Sequence, residues 1–139
     1  MAKEILVGNT LTTDMIDAGR VTIEKIAKSN LQVVAAFWLY FEEAEEWRLA
    51  LVSTRLNRDG PLALYGELSY LMFNKVEIFG ISLINTTFLD ASDRLVCALV
   101  SIPGGTELRD IRLTGFVSHG IYVPDTYVYF VSEAIKPFK

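Results

Sequence analysis

Nine consecutive residues, Val33–Phe41, are apolar or aromatic at every position. A strand with one face in solvent alternates apolar and polar residues, whereas this segment offers apolar side chains to both faces of a sheet. It is the longest apolar run in the chain, and it has about half of the roughly 20 residues that a membrane-spanning helix needs. We therefore predict a central strand covered on both sides, by helices on one side and by a partner subunit on the other.

A second strand is predicted at residues 47–52, after an acidic connection at residues 42–46 whose length is typical of a hairpin. The connection carries four glutamates, Glu42, Glu43, Glu45 and Glu46, and they account for the whole formal net charge of −4. The rest of the chain is therefore neutral overall. The functional interpretation of this turn is a docking site for a basic partner, and it is where we would look first for one. Solubility and protection against edge pairing are the favoured explanation of its charges.

Two helices are predicted from capping residues and helical spacing. The first begins at Thr12 or Thr13, which can act as N-caps, and ends near Asn30. The second follows a loop at residues 55–58, has Asp59 as its N-cap and runs to about Asn74.

The rest of the chain is predicted to be β-structure, with strands at residues 78–84, 95–102, 111–117 and 127–131 and turns at residues 103–105 and 118–120. Tight turns between successive strands favour antiparallel pairing. Pro124 places the segment before the last strand at an edge of the sheet or outside it. The prediction is one α+β domain over residues 1–139, with a mainly antiparallel sheet of five to six strands and two helices in the order helix, hairpin, helix, strands.

Catalytic chemistry is limited because His119 is the only histidine and Cys97 the only cysteine. Ser118 cannot pair with the adjacent His119, since neighbouring side chains on extended backbone point to opposite faces. Cys97 lies in an apolar run, which indicates an inert buried thiol, and a structural zinc site needs more histidine and cysteine than this. We therefore expect no metal and no cofactor.

One enzymatic alternative stays open, a metal-dependent hydrolase or nuclease. Its candidate ligands for Mg²⁺ or Mn²⁺ are carboxylates, with His119 as an acid or base: Asp90, Asp93, Glu107 and Asp110. This function requires the side chains to converge in one cleft. Aspartates at such positions more often cap helices and turns.

Binding is the remaining function to consider. Nucleic acid is disfavoured by a sequence pI near 5.0 and by the acids that are interleaved with the basic residues Arg55, Arg58, Arg109 and Arg112. Aromatic side chains dominate protein-binding hot spots, and the candidates here are Trp47, Tyr127 and Tyr129. A mean hydropathy of +0.31 is high for so small a chain, and we therefore expect it to form a homo-oligomer.

Two stretches resemble a group of small bacterial proteins that have no assigned function. They are FWLY followed by EWRL in the predicted hairpin, and GIYVPDTYVY at residues 120–129. The resemblance implies a bacterial cytoplasmic protein and carries over no active site. The leading hypothesis is a small cytoplasmic, non-enzymatic interaction or regulatory module that binds a protein partner or itself, and neither nucleic acid nor a membrane.

Overall fold

A computed structural model describes residues 11–41, 43–73, 86–102, 108–118 and 120–132. The described elements are, in chain order, α1 (Thr13–Ala27), β1 (Val33–Phe41), β2 (Glu46–Ser53), α2 (Leu56–Asp59), α3 (Pro61–Phe73), β3 (Thr86–Leu89), α4 (Arg94–Val100), β4 (Arg109–Ser118) and β5 (Ile121–Val131). None of the helices in these ranges combines the length and the apolar character needed to cross a membrane.

The five strands form one mixed sheet in the order β3-β2-β1-β5-β4. β1 pairs antiparallel with β2 and β5, β5 pairs antiparallel with β4, and β3 pairs parallel with β2. The α+β class and the central position of β1 are thus confirmed. The sheet is mixed, however, because β3 runs parallel to its neighbour.

The first helix and the hairpin form where the sequence predicts them. The Thr12 hydroxyl accepts a hydrogen bond from the Met15 N–H at 3.2 Å, so Thr12 is the N-cap of α1. The helix ends earlier than predicted, with Lys28 as its C-cap. The hairpin closes with Phe41 opposite Glu46, and Glu45 turns the chain with a positive φ of 53°.

After the hairpin, two predictions are wrong and one strand was missed. Residues 95–102, predicted as a strand, lie mostly in the helix α4, which begins at Asp93 because its carboxylate accepts from the Leu95 N–H at 2.9 Å. Residues 86–89, which none of the predicted strands includes, form β3. The loop predicted at residues 55–58 is largely the short helix α2, so Asp59 ends a helix instead of capping the next one.

The last strand is longer than predicted, because β5 begins at Ile121 and includes Pro124. Residues 121–125 of β5 pair only with β4, and pairing with β1 begins at Thr126. Pro124 therefore lies where one side of β5 is unpaired among the described strands, which is where proline is tolerated. The predicted strand at residues 78–84 and the turn at residues 103–105 lie outside the described residues.

Each face of the sheet carries its own buried cluster. On the first face, which we call the two-helix face, α1 and α3 cover a cluster that includes Trp38, Trp47, Leu49, Leu64, Leu68 and Tyr129. On the second face, which we call the one-helix face, α4 covers a cluster that includes Phe37, Val52, Val96, Leu99, Val100 and Val128. α4 of the same chain packs on the second face, and the prediction that a partner subunit covers this face stays a prediction.

Candidate functional site

The carboxylates of the enzymatic alternative do not meet in the described part of the structure. Asp90 follows β3 and accepts hydrogen bonds from the backbone and hydroxyl of Ser92, and Asp93 caps α4. Asp110 lies on β4, at the opposite edge of the sheet, and forms an ion pair with Arg20 at 2.5 Å. Across the described residues, no group of three or more His, Cys, Asp or Glu could hold a metal ion.

The other two members of that set, Glu107 and His119, lie outside the described residues. The enzymatic alternative therefore stays a prediction. Cys97 is buried in α4, and its burial raises the pKa of the thiol. A thiol with a raised pKa carries less of the thiolate that reacts as a nucleophile, which agrees with a structural role.

Only some of the residues predicted to bind a partner at the acidic turn are exposed to solvent. Glu43 and Glu45 are exposed, Glu46 forms an ion pair with Arg48 at 2.6 Å, and Glu42 lies outside the described residues. Trp47 is only 5% exposed, and its ring packs against Tyr40 with the ring centroids 5.5 Å apart. This tryptophan is therefore part of the core of the two-helix face.

The two predicted binding tyrosines of β5 lie beneath α1. Tyr129 is buried, and its hydroxyl accepts from Nε1 of Trp38 at 2.8 Å and donates to the carbonyl oxygen of Ile16 at 2.6 Å. Burial raises the pKa of Tyr129 above its ordinary value. The half-buried Tyr127 accepts from a guanidinium nitrogen of Arg20 at 3.2 Å. These contacts fasten α1 to the sheet.

The arginines that sequence reasoning grouped as basic clusters are engaged within the chain. Arg109 donates to the carbonyl oxygen of Val131 at 2.7 Å, and Arg112 binds both carboxylate oxygens of Asp125, at 3.1 and 2.7 Å. Arg58 forms an ion pair with Asp59 at 3.1 Å.

Arg55 forms the densest of these ion-pair networks and is only 8% exposed. It binds both carboxylate oxygens of Glu67, at 2.8 and 2.6 Å, and one oxygen of Asp59 at 2.6 Å. Hydrogen bonds from Arg58 and Arg55 lower the pKa of Asp59 to about 2, and Arg55 also lowers the pKa of Glu67. Both carboxylates are thus ionised at neutral pH, and the charge of Glu67 is compensated by a guanidinium in direct contact.

Among the described residues, the large apolar side chains with the highest exposed fractions lie on α3. Leu62 is 86% exposed and Tyr70 is 74% exposed, and the exposed positions Ala63 and Gly66 lie between them on the same side of the helix. We call these four residues the α3 face. Glu67 is the only charged residue of α3. Ala63, Gly66 and Tyr70 of the α3 face line one side of a groove of about 430 Å³, which extends to Ser29 and Leu31 in the segment after α1.

Sequence reasoning missed the α3 face, although the sequence of this helix offered a signal. Apolar residues lie on all sides of α3. A helix whose apolar residues surround it on all sides is typical of a buried helix. In α3 the buried residues Leu64 and Leu68 account for one side only, and Leu62 and Tyr70 project from the other side.

The other exposed large apolar residues within the described ranges are more scattered. Val21 and Ile111 are just over one-third exposed and lie beside charged residues in the chain. Val117 and Tyr122 are 67% and 62% exposed, and they face each other across the β4–β5 hairpin. We call this pair the hairpin tip.

The geometry defines the class of protein as α+β, with a mixed five-stranded sheet that is covered by helices on both faces. A scan against protein-family models, a search of the curated proteins and a search of the solved structures each found no match. The resemblance to small bacterial proteins therefore stays a prediction.

Proposed function

We propose that the protein is a small non-enzymatic interaction module that self-associates, and that the α3 face is its contact surface. The observation that carries this proposal is the exposure of Leu62, at 86%, on a helix with one charged residue. Contiguous exposed apolar residues on a small protein typically mark an interaction site. A cytoplasmic location belongs to the same proposal, because a chain with one cysteine forms no internal disulfide, as is usual for proteins of a reducing compartment.

The electrostatics of α3 support this assignment. The carboxylate of Glu67 is bound by both terminal nitrogens of Arg55, so the helix presents no uncompensated charge to an approaching surface. Desolvating an unpaired charge would oppose association, whereas burying apolar area favours it. The exposed Tyr70 ring adds the residue type most enriched in binding hot spots.

Sedimentation velocity over a range from low micromolar to millimolar protein tests the proposal. We expect the wild-type chain to shift from monomer towards a larger species as its concentration rises. The Leu62→Glu variant is expected to remain monomeric across the same range, because a carboxylate at this position would have to be buried on association. A wild-type chain that is monomeric at every concentration would refute the proposal.

The matched control is Val117→Glu, which introduces the same charge at an exposed apolar position of the hairpin tip. We expect it to associate as the wild type does. Circular dichroism on both variants verifies that they are folded, and both positions are exposed enough that folding should be unaffected. Equal loss of association in both variants would contradict the assignment to the α3 face.

A further inference from the structure

We propose that Tyr65 of α3 closes the β3 edge of the sheet, with its hydroxyl taking the place of a neighbouring strand. β3 is the outermost strand on its side of the described sheet, where it pairs with β2. Unpaired backbone groups at a strand edge pair with strands of other copies of a chain, which leads to assembly. Tyr65 thereby keeps the sheet from growing at this edge.

The hydroxyl of Tyr65 makes two hydrogen bonds to the backbone of β3. It accepts from the Phe88 N–H at 3.1 Å and donates to the carbonyl oxygen of Thr86 at 3.4 Å. In a ladder, the N–H and C=O groups of alternate residues point to the same side of the strand. Because the Phe88 N–H is aimed at Tyr65, it is not aimed at β2. Tyr65 therefore binds the outer edge of β3.

These two bonds reproduce the bonds that a parallel neighbouring strand would make. In a parallel ladder, one residue of the neighbour donates its N–H to the carbonyl oxygen of residue i. The same residue accepts, at its own carbonyl oxygen, from the N–H of residue i+2. The hydroxyl of Tyr65 makes both bonds through a single oxygen, with Thr86 and Phe88 as residues i and i+2. An added strand would have to displace it.

The packing of α3 holds Tyr65 in this position. Leu64, its neighbour in the chain, and Leu68, one turn further along, are fully buried on the two-helix face. The ring of Tyr65 meets the ring of Phe88 edge-on, with the ring centroids 5.0 Å apart. Displacing the hydroxyl would therefore disrupt an aromatic contact as well as the two hydrogen bonds.

The two outer strands of the described sheet differ in their own protection. β4 carries exposed charges at Arg109, Asp110 and Arg112, and its backbone has a positive φ at Asp110 and Gly115. Charged residues and local distortion are common ways of blocking an edge strand. The four described residues of β3 include no charge, no proline and no positive φ. Tyr65 supplies the protection that β3 itself lacks.

Tyr65→Phe tests the proposal, because it removes the hydroxyl and keeps the ring. Under native conditions, NMR measures hydrogen exchange of the Phe88 amide, and thioflavin T fluorescence measures the growth of β-rich assemblies. All proteins compared carry Leu62→Glu, so that association through the α3 face makes no contribution. We expect the Phe88 amide to exchange at least about tenfold faster relative to the Thr87 amide, as for a lost hydrogen bond. We also expect assemblies that the parent protein does not form.

Tyr129→Phe is the matched control for a general loss of stability. It removes a buried hydroxyl on β5, which β2 and β1 separate from β3 in the sheet. If stability alone determined assembly, this variant would assemble at least as readily as Tyr65→Phe. We expect it to form no assemblies under the same native conditions, because the β3 edge keeps its tyrosine.

A charge on β3 should restore the protection by a different route. Thr87→Lys, added to Tyr65→Phe, places on the edge strand the residue that natural proteins use most to block strand addition. We expect it to suppress assembly while the Phe88 amide still exchanges fast, in a chain that circular dichroism shows to be folded. Unchanged Phe88 exchange in Tyr65→Phe, fast exchange without assembly, or equal assembly of Tyr129→Phe would each overturn the proposal.

Discussion

The two faces of the sheet are held in different ways, although both are built on the same central strand. The two-helix face is covered by helices of 15 and 13 residues, and its aromatic residues are joined by hydrogen bonds from Trp38 to Tyr129 and from Tyr129 to the backbone of α1. The one-helix face is covered in the described residues by α4, which has seven residues, and its cluster is largely aliphatic.

This difference separates two kinds of stabilisation. Apolar burial is non-directional and is proportional to the area removed from water, so it holds α4 on the sheet without setting its position closely. The buried hydrogen bonds of the two-helix face are directional and require one particular placement of α1. We therefore expect the two-helix face to tolerate small changes less well than the one-helix face.

The largest expected effect is that of Gly19→Ala in α1. A Cβ at position 19 would overlap the hydroxyl oxygen of Tyr129 and would lie 3.0 Å from Nε1 of Trp38, so it would displace both groups of the buried hydrogen bond. We expect a loss of about 3 to 4 kcal/mol in the free energy of unfolding, from overpacking together with hydrogen bonds left unsatisfied. Urea denaturation measures it.

The control for this prediction is the same substitution at Gly66 in α3, where a Cβ would meet nothing within 4 Å. At a concentration where the chain is monomeric, Gly66→Ala should leave stability unchanged or raise it by up to about 1 kcal/mol, because alanine is the better helix former. If both glycines tolerated alanine equally, the close packing of α1 on Tyr129 would not be a determinant of stability.

The next largest effect is expected for Tyr129→Phe. This change removes one hydroxyl and leaves Nε1 of Trp38 and the carbonyl oxygen of Ile16 without that partner in a buried site. We expect a loss of about 2 kcal/mol in the free energy of unfolding. Tyr122→Phe removes a hydroxyl from a side chain that is 62% exposed, and thermal unfolding should show a change of less than about 0.5 kcal/mol. Equal losses in both variants would contradict the hydrogen-bond assignment.

The two faces also differ in how well the sequence predicts them. Val33–Phe41 is predicted as the central strand because apolar residues at every position leave no polar face, and Thr12 marks the start of α1. The α4 segment has the same uniform apolar character, so its periodicity cannot distinguish a buried strand from a buried helix. The local signal was Asp93, which sequence reasoning assigned to a metal site or a turn and which the structure places at an N-cap.

The candidate site was predicted less well than the fold, for a reason that concerns residue type. Tyrosine and tryptophan occur both in cores and in binding surfaces, so Trp47 and Tyr129 could not be distinguished from surface residues before their burial was known. Leu62 was missed for the converse reason, because an apolar residue in a predicted helix is usually assigned to the core. Exposure depends on which elements pack together, and local sequence does not encode that directly.

A smaller loss than that of Tyr129→Phe is expected for Asp93→Ala, which removes the N-cap of α4. We expect a loss of about 1 kcal/mol, the usual cost of losing such a cap. A helix of seven residues cannot persist in water without its packing, so the lost cap should increase local opening of the whole helix. Hydrogen exchange of the α4 amides should therefore accelerate along its length.

Thr12→Ala is the counterpart on the two-helix face, since Thr12 caps α1 in the same manner. Its expected cost is also about 1 kcal/mol, but the faster exchange should be confined to the first turn of α1. The reason is that two side-chain contacts attach α1 to the sheet. The hydroxyl of Tyr129 donates to the carbonyl oxygen of Ile16, and Arg20 forms an ion pair with Asp110. If α4 exchanged no faster in Asp93→Ala than in the wild type, its packing on the one-helix face would be as restrictive as that of α1, and the contrast between the two faces would not hold.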